Sequence, residues 1–227
     1  MKSLFSPRHK ILIGVVHLRP LPGAPRWRGD LESVVEFAVN DARAYERGGA
    51  HALFIENFGD VPFTKGRVAP ETLAAMTAAG RAIRQAVKLP IGFNVLRNDA
   101  RAALALCAVC GGAFIRVNVH TGAMLTDQGL IEGNAYETLR YRQRICPRAQ
   151  IFADVHVKHA VPLGNWTIEI VGAELPRPAI LRMHRTGPRS FDYWVYRPEV
   201  KEYHQCEWIL QNFPNPYQRQ GRMWIII

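Results

Sequence analysis

The sequence has few cysteines and no long apolar run, and these two absences exclude several classes of protein. Its four cysteines are too few and too scattered for a disulfide scaffold. Cys107 and Cys110 form a C-x-x-C pair without a second pair, so we interpret them as small core residues. No stretch approaches the ~20 apolar residues of a membrane span, and the N-terminal segment lacks a signal-peptide pattern. We therefore expect a cytoplasmic protein.

Glycine-rich nucleotide-binding motifs are missing as well. No G-x-G-x-x-G follows the first apolar run and no G-x-x-x-x-G-K-[ST] occurs anywhere, which argues against dinucleotide-binding and P-loop folds. The formal net charge is +10, but no RNA-binding or helix-turn-helix signature accompanies it, so we expect no nucleic-acid partner. The basic excess instead suits an anionic small molecule or an anionic surface.

Two kinds of segment alternate along the first 163 residues. Apolar runs rich in Val, Ile and Phe predict strands, and Ala-rich amphipathic stretches between them predict helices. Strands separated by helices indicate βαβ units in a parallel sheet, and a spacing of about 35 residues favours a (β/α)8 barrel over a Rossmann sheet. The strands are predicted at 11–17, 52–56, 91–96, 113–119 and 151–158, and the helices at 31–47, 71–87, 99–110 and 135–145.

Each predicted strand ends in polar residues, which is the feature that points to function. The carboxyl ends of parallel barrel strands surround the active site, and period-2 alternation places Arg116 with Asn118, and Asp154 with His156 and Lys158. Five such ends in a row are hard to explain by packing alone, although a satisfied polar network inside the barrel is the structural alternative. The long Gly-rich segment 120–133, predicted as a loop, adds Asp127.

Chemical roles follow from residue type. Asp154 or Glu56 is expected to act as a general acid or base, with His17 beside them, and Lys158 to neutralise an anion or form a Schiff base. A metal-dependent alternative uses Glu56, Asp154 and His156 with His17 to bind a divalent ion; otherwise no cofactor is expected. The expected substrate-binding residues are Asn57, Asn94, Arg97, Asn98, Arg116, Asn118 and Asp127.

Five motifs resemble the BtpA/SgcQ family over about residues 11–163. They are GVVHLRPLPGAP (14–25), ENFGDVPF (56–63), GFNVLRND (92–99), FIRVNVHTGAMLTDQGLIEG (114–133) and ADVHVKHAVPL (153–163). The resemblance implies a TIM barrel of the ribulose-phosphate-binding type. It also implies a role in photosystem I biogenesis for some members and a nucleosidase-like or sugar-related role for others.

The composition changes abruptly after Leu163. Residues 1–163 hold 24 alanines and residues 164–227 hold two, whereas four of the five tryptophans lie in the second part. Family members would continue with three more strand–helix units. The remaining residues lack the alternating apolar and Ala-rich segments that such units need. We therefore expect an incomplete barrel of about five units. We interpret 164–227 as an out-of-frame or replaced tail that leaves sheet edges open and the chain poorly soluble and weakly active or inactive. The alternative is a genuine divergent tail that closes or caps the sheet.

Two functional hypotheses follow. The first is an enzyme acting on a phosphosugar- or nucleoside-like compound, either a nucleosidase-like hydrolase or a phosphosugar lyase or isomerase. The second is a non-enzymatic biogenesis factor that docks peripherally on a membrane or protein complex, which the basic charge favours. A homo-oligomer is compatible with both hypotheses.

Overall fold

The computed structural model describes residues 12–154, 157 and 160–164, and the backbone of four strands after residue 181. In chain order the elements are β1 (Leu12–His17), α1 (Leu31–Arg47), β2 (Ala52–Glu56), a short 3-10 helix (Phe58–Asp60), α2 (Pro70–Ala86), β3 (Ile91–Asn94), α3 (Ala100–Cys110), β4 (Phe114–Val117), β5 (Ala123–Thr126), β6 (Gly129–Glu132), α4 (Ala135–Ile145), β7 (Gln150–Ala153), β8 (Ala160–Pro162), β9 (Arg182–Thr186), β10 (Ser190–Arg197), β11 (Glu202–Gln205) and β12 (Met223–Ile226).

The main sheet contains the five parallel strands that the sequence predicts. Its order is β12-β1-β2-β3-β4-β7, so the parallel strands follow one another in chain order without the reversal of a doubly wound fold. A helix connects each parallel strand to the next. This consecutive order is that of a partial (β/α) barrel, as expected.

The four predicted helices lie within one residue of their observed bounds because their end signals are local. Asp30 caps α1 by accepting a hydrogen bond from Ser33 N at 2.9 Å. Asp99 caps α3 in the same way through Ala102 N, and Gly111 ends α3 with a φ of +70°. Asn134 accepts from Glu137 N at 3.3 Å at the start of α4.

Three strands end two to five residues earlier than their apolar runs predict. After β3 the backbone N–H of Leu96 donates to the side chain of Asn57 at 2.7 Å instead of to a neighbouring strand. After β4 the backbone of Val119 bonds the side chain of Asn98 in both directions, at 2.8 and 2.9 Å. Side-chain amides thus replace ladder bonds where the strands open into loops.

The sheet is buried on both faces. One face packs against the helices through residues such as Leu53, Ile55 and Phe93, and this core also contains the buried Cys107 and Cys110. The opposite face carries three mutually perpendicular rings, Phe54, Phe114 and Phe152, with centroids 4.8 to 6.1 Å apart. We call these three rings the phenylalanine floor.

Gly92 makes room for this floor on the intervening strand β3. A Cβ atom at Gly92 would overlap the ring of Phe114. The glycine is therefore required by close packing rather than by its backbone conformation.

The segment predicted as a loop over 120–133 is instead a β-hairpin. Strands β5 and β6 pair antiparallel, and β8 adds to β5 to give a three-stranded sheet of order β6-β5-β8. Alternating residues explain this: Met124 and Ile131 are buried in a small cluster with Val119 and Val157. The apolar alternation is short and interrupted by glycines, so the composition alone suggests a loop.

The described strands beyond residue 181 pair antiparallel, unlike the five parallel strands of the main sheet. They form the sheet β11-β10-β9, while β12 lies along β1 with Leu12 opposite Ile226 and Val15 opposite Met223. The expectation that the barrel edges are open is therefore wrong at β1, because backbone pairing with β12 covers that edge.

Candidate functional site

Polar residues take the place of the phenylalanines two residues further along three of the strands. Glu56, Arg116 and Asp154 each follow a floor residue by two positions, so they point to the same side at the carboxyl ends of the strands. All three are at most 6% exposed. The structure thus brings together side chains that are 98 residues apart in the sequence.

Arg116 is at the centre of this group and bonds both carboxylates. Its Nε and Nη2 donate to Asp154 Oδ1 and Oδ2, both at 2.9 Å, in a bidentate arrangement. Its Nη1 donates to Glu56 Oε1 at 2.9 Å. Such fork geometry is the strongest ion pairing available to arginine. The anion-neutralising role expected of Arg116 is therefore fulfilled inside the protein.

The pairing decides the charge state of the two partners. Burial alone would lower the pKa of Arg116, but the Asp154 and Glu56 carboxylates raise it above its usual value. Burial alone would raise the pKa of Glu56, but His17, Arg116 and Asn94 together lower it to about 2. Glu56 is therefore an ionised acceptor at neutral pH.

Two asparagines extend the network and keep one atom each without a partner. Asn94 Nδ2 donates to Glu56 Oε1 at 2.9 Å, and Asn118 Nδ2 donates to Asp154 Oδ2 at 3.0 Å. In the part of the chain that the structure describes, the Oδ1 atoms of both residues are buried with no hydrogen-bond partner. Unsatisfied buried acceptors of this kind suit the hydroxyl or amide group of a ligand.

His17 lies at the more accessible side of the network. Its Nε2 is 3.5 Å from Glu56 Oε2, and its side chain is 23% exposed compared with 2% for Glu56. The imidazole stacks on Phe58 with ring centroids 4.4 Å apart. Nε2 itself is buried, and among the described residues its contact with Glu56 is an ion-pair distance and not a hydrogen bond of good geometry.

Arg97 and Asp127 approach from the loops above the strands. Burial lowers the pKa of Arg97, while the nearby carboxylates of Asp127 and Asp154 partly oppose this shift. Asp127 is exposed in the turn between β5 and β6. The hairpin therefore brings a carboxylate close to the guanidinium of Arg97.

Asn57 and Asn98 were expected to bind substrate, but their side chains hold the loops. Asn57 bonds both Leu96 N and Leu96 O, and it also donates to Asp60 Oδ2 at 3.1 Å. Asn98 has a φ of +108°, an uncommon conformation that its two bonds to Val119 stabilise. Both amides bond groups of the protein itself, and their expected contact with substrate stays a prediction.

His120 is a buried residue that the sequence reasoning missed. It is 1% exposed, and both ring nitrogens lack a hydrogen-bond partner in the described part of the chain. Burial, and then the charge of Arg142, lower its pKa. The signal in the sequence was the alternation Arg116, Asn118, His120, which continues beyond the predicted end of the strand.

The metal-binding alternative gains no support from the described residues. They contain no group of three or more His, Cys, Asp and Glu side chains that could hold a metal ion. A guanidinium, rather than space for a cation, lies between Glu56 and Asp154. His156 and Lys158 lie outside the described residues.

Comparison with known proteins identifies the family. The model of the BtpA family matches residues 8–189, a range that contains every residue of the site. The chain belongs to the BtpA family. The match continues past Leu163, where the motifs quoted above end.

Relatives within the BtpA family come from bacteria and archaea. The chain is 53% identical over 157 residues to the photosystem I biogenesis protein BtpA of Synechocystis, covering 69% of this chain and 55% of that protein. It is 50% identical over 180 residues to an uncharacterized protein of Archaeoglobus fulgidus, covering 78% and 72%. It is 34% identical to the putative sgc region protein SgcQ of Escherichia coli, covering 69% and 58%.

The chain spans 55% to 60% of the length of the two relatives at 53% and 49% identity. Among solved structures, the N-acetylmannosamine-6-phosphate 2-epimerase from Clostridium perfringens aligns with 63% of this chain and 52% of its own, at 16% identity and a TM-score of 0.36. That likeness is too low to bear on chemistry. In the described part of this BtpA-family chain, no helix is long and apolar enough to cross a membrane.

Proposed function

We propose that the carboxyl ends of the parallel strands form the active site of an enzyme acting on a small polar compound. The observation that carries this proposal is a buried ionic network in which three atoms make no hydrogen bond among the described residues, His17 Nε2, Asn94 Oδ1 and Asn118 Oδ1. A network built only for stability would satisfy its own polar groups. Because atoms without a hydrogen bond lie beside both Glu56 and Asp154, we infer that hydrogen bonds from a ligand complete the network.

His17 is the group we propose for proton transfer. Imidazole is the side chain best suited to exchange protons near neutral pH, and His17 is more accessible than the carboxylate beside it. Glu56, with a pKa of about 2, does not donate a proton at neutral pH. It instead orients the ring, as a carboxylate does beside a catalytic histidine.

Asp154 and Arg116 are proposed as positioning residues. Both oxygens of Asp154 already accept bonds from Arg116, and Oδ2 also accepts from Asn118. Arg116 holds Glu56 and Asp154 in fixed positions, and Asn94 and Asn118 present their free oxygens to substrate hydroxyl or amide groups. Arg97 is the cation we propose for an anionic group, and Lys158 keeps its proposed anion-binding or Schiff-base role.

The substrate class that fits these groups is a phosphosugar or a nucleoside-like compound. Amide oxygens accept bonds from sugar hydroxyls, and Arg97 suits a phosphate or carboxylate at the mouth. The reaction class we propose is general acid–base chemistry at a sugar carbon or glycosidic bond, in which His17 protonates a leaving group or removes a proton.

The test is turnover of defined compounds by the full chain. A panel of ribonucleosides and sugar phosphates is incubated with the wild-type protein and with His17→Asn, and products are measured by mass spectrometry. We expect His17→Asn to reduce turnover by about a hundredfold or more, as for loss of a general acid or base, with an unchanged melting temperature. His51→Asn, at the opposite end of β2, is the matched control. Wild-type turnover by His17→Asn contradicts the role.

A second candidate function is assembly of a membrane complex, and one surface favours it. Leu130, Leu125 and Val161 lie side by side across β6, β5 and β8, and they are 39%, 53% and 64% exposed. The relative named as a photosystem I biogenesis protein suggests such docking. Sedimentation with anionic vesicles in high salt tests it: Leu125→Ser should release the chain, and Val109→Ser, at an exposed position on α3, should not.

The domain division at residue 163 is a separate proposal. We propose that a replaced or out-of-frame tail begins within 164–227, supported by the loss of alanine and the gain of tryptophan there. The family match as far as residue 189 speaks for a start nearer to that residue than to Leu163. Translation of the gene in the other two frames past codon 163 tests it. A frame that restores alternating strands and helices supports replacement, and two frames without that rhythm contradict a frameshift.

A further inference from the structure

A cavity of about 360 Å³ lies beside the network, outside the residues that form it. It is bounded by the loop after β1, the loop after β2 and the first turn of α2. Its walls are mostly apolar, including Pro25, Pro62, Phe63 and Leu96. This volume and lining are typical of a small-molecule site with a few polar groups for orientation.

An aromatic path joins this cavity to His17. The His17 ring stacks on Phe58 at 4.4 Å with an interplanar angle of 19°, and Phe58 lies 6.1 Å from Phe63. Phe63 is half-buried and lines the cavity, whereas Phe58 is 46% exposed. A molecule with one part in the cavity and another at His17 would therefore pass over exposed aromatic surface.

Two of the three charged residues that line the cavity carry hydrogen-bond acceptors. Asp60 and Glu71 both line it. Asp60 accepts from Leu21 N at 2.8 Å through Oδ1 and from Asn57 Nδ2 at 3.1 Å through Oδ2. Each carboxylate oxygen has two lone pairs, so the carboxylate is held in place and still has capacity to accept further bonds.

The charged residues that line this cavity disfavour the binding of a phosphate. Two carboxylates line it against one guanidinium, that of the exposed Arg67, and a dianion placed among them would be repelled. A neutral group that donates hydrogen bonds and offers a flat face satisfies the acceptors and covers the aromatic ring.

We propose that this cavity binds a neutral, flat nitrogen heterocycle of the nucleobase type. The ring stacks on Phe63, and its N–H groups donate to Asp60 and Glu71. This inference rests on the proposed function, because it assigns the cavity to the non-reacting part of the substrate whose reacting part meets His17. It selects a nucleoside-like compound over a simple phosphosugar.

Binding of defined probes tests the assignment in the full chain. Adenine, uracil and ribose 5-phosphate are titrated by calorimetry into the wild-type protein and into Phe63→Leu, Phe63→Tyr and Glu71→Ala. We expect at least one of the two bases to bind, with about tenfold weaker affinity in Phe63→Leu from lost stacking. Phe63→Tyr should retain the affinity, and Glu71→Ala should weaken it severalfold.

Phe37→Leu is the matched control, because Phe37 is a 40% exposed phenylalanine on α1 that does not line the cavity. Failure of both bases to bind, or equal affinity of Phe63→Leu and the wild type, overturns the inference. If His17→Asn abolishes turnover of a sugar phosphate while the bases do not bind, this inference fails and the proposed function stands. If a base binds through Phe63 but the panel shows no turnover, the proposed function fails and the cavity assignment stands.

Discussion

The two carboxylates of the network contact the same guanidinium but lie in different surroundings. Asp154, on the β4–β7 side, receives a bidentate pair from Arg116 and a further bond from Asn118. Glu56, on the β1–β2 side, receives its bonds from Arg116 and Asn94 on Oε1, and its Oε2 faces His17. Among the described residues, Asp154 therefore accepts three hydrogen bonds shared between both oxygens, while Glu56 keeps one oxygen that faces a titratable ring.

Removing the shared guanidinium should have the largest effect on stability, because both sides depend on it. Arg116→Met leaves two buried carboxylates without their cation, and we expect a loss of about 3–5 kcal/mol in the free energy of unfolding. Chemical denaturation measures the loss. Arg43→Met, at an exposed position on α1, should change stability by less than about 0.5 kcal/mol. A similarly small effect of Arg116→Met would mean that the two sides are not coupled through it.

The Glu56 side should show a characteristic dependence on pH. The folded-state pKa of Glu56 is about 2, below the ordinary value of 4.5. Its contribution, about 3 kcal/mol from a shift of this size, is therefore fully present above pH 4.5 and is lost as the pH falls towards 2. We expect the stability difference between the wild type and Glu56→Gln to shrink as the pH falls from 6 to 3, measured by urea unfolding.

Glu36→Gln, at an exposed position on α1, provides the control for this titration. Its stability difference from the wild type should stay small and constant over the same range. A Glu56→Gln stability difference that does not change with pH would place the folded-state pKa of Glu56 near its unfolded value. The ion pairs that Glu56 makes would then contribute little to stability.

Substitutions of Asn98, in the loop after β3, should have an intermediate effect on stability. Asn98 bonds both backbone groups of Val119 from a conformation with φ +108°. Asn98→Ala loses these bonds and places a Cβ at an unfavourable φ, so we expect a loss of about 2 kcal/mol. Asn98→Gly should cost less because glycine adopts this φ without strain. Equal losses for both variants would show that the backbone conformation contributes nothing.

The smallest effect on stability is expected at His17. Its contact with Glu56 is 3.5 Å long and partly exposed, so His17→Phe should change the free energy of unfolding by less than about 1 kcal/mol. Thermal unfolding at pH 7 measures this. A loss as large as that of Arg116→Met would show that the β1–β2 side is also built for stability, and the contrast between the two sides would disappear.

Sequence reasoning predicts the fold of the first 163 residues well because its signals are local. Caps such as Asp30 and Asp99, and the period-2 alternation that groups Arg116 with Asn118, depend only on neighbouring residues. The roles of Asn57 and Asn98 could not be predicted, because their partners are 39 and 21 residues away and an asparagine at a strand end bonds backbone or substrate equally well. Arg116 shows the same limit, since only the three-dimensional structure places Glu56 and Asp154 on either side of it.

The phenylalanine floor gives the site a direction. Three packed rings lie two residues before Glu56, Arg116 and Asp154, on the amino-terminal side of these groups in the described part of the chain. Within that part, the side chain of His17, 23% exposed, is the more accessible partner of Glu56. We therefore expect a ligand and its protons to approach the ions from the carboxyl-terminal side, past His17.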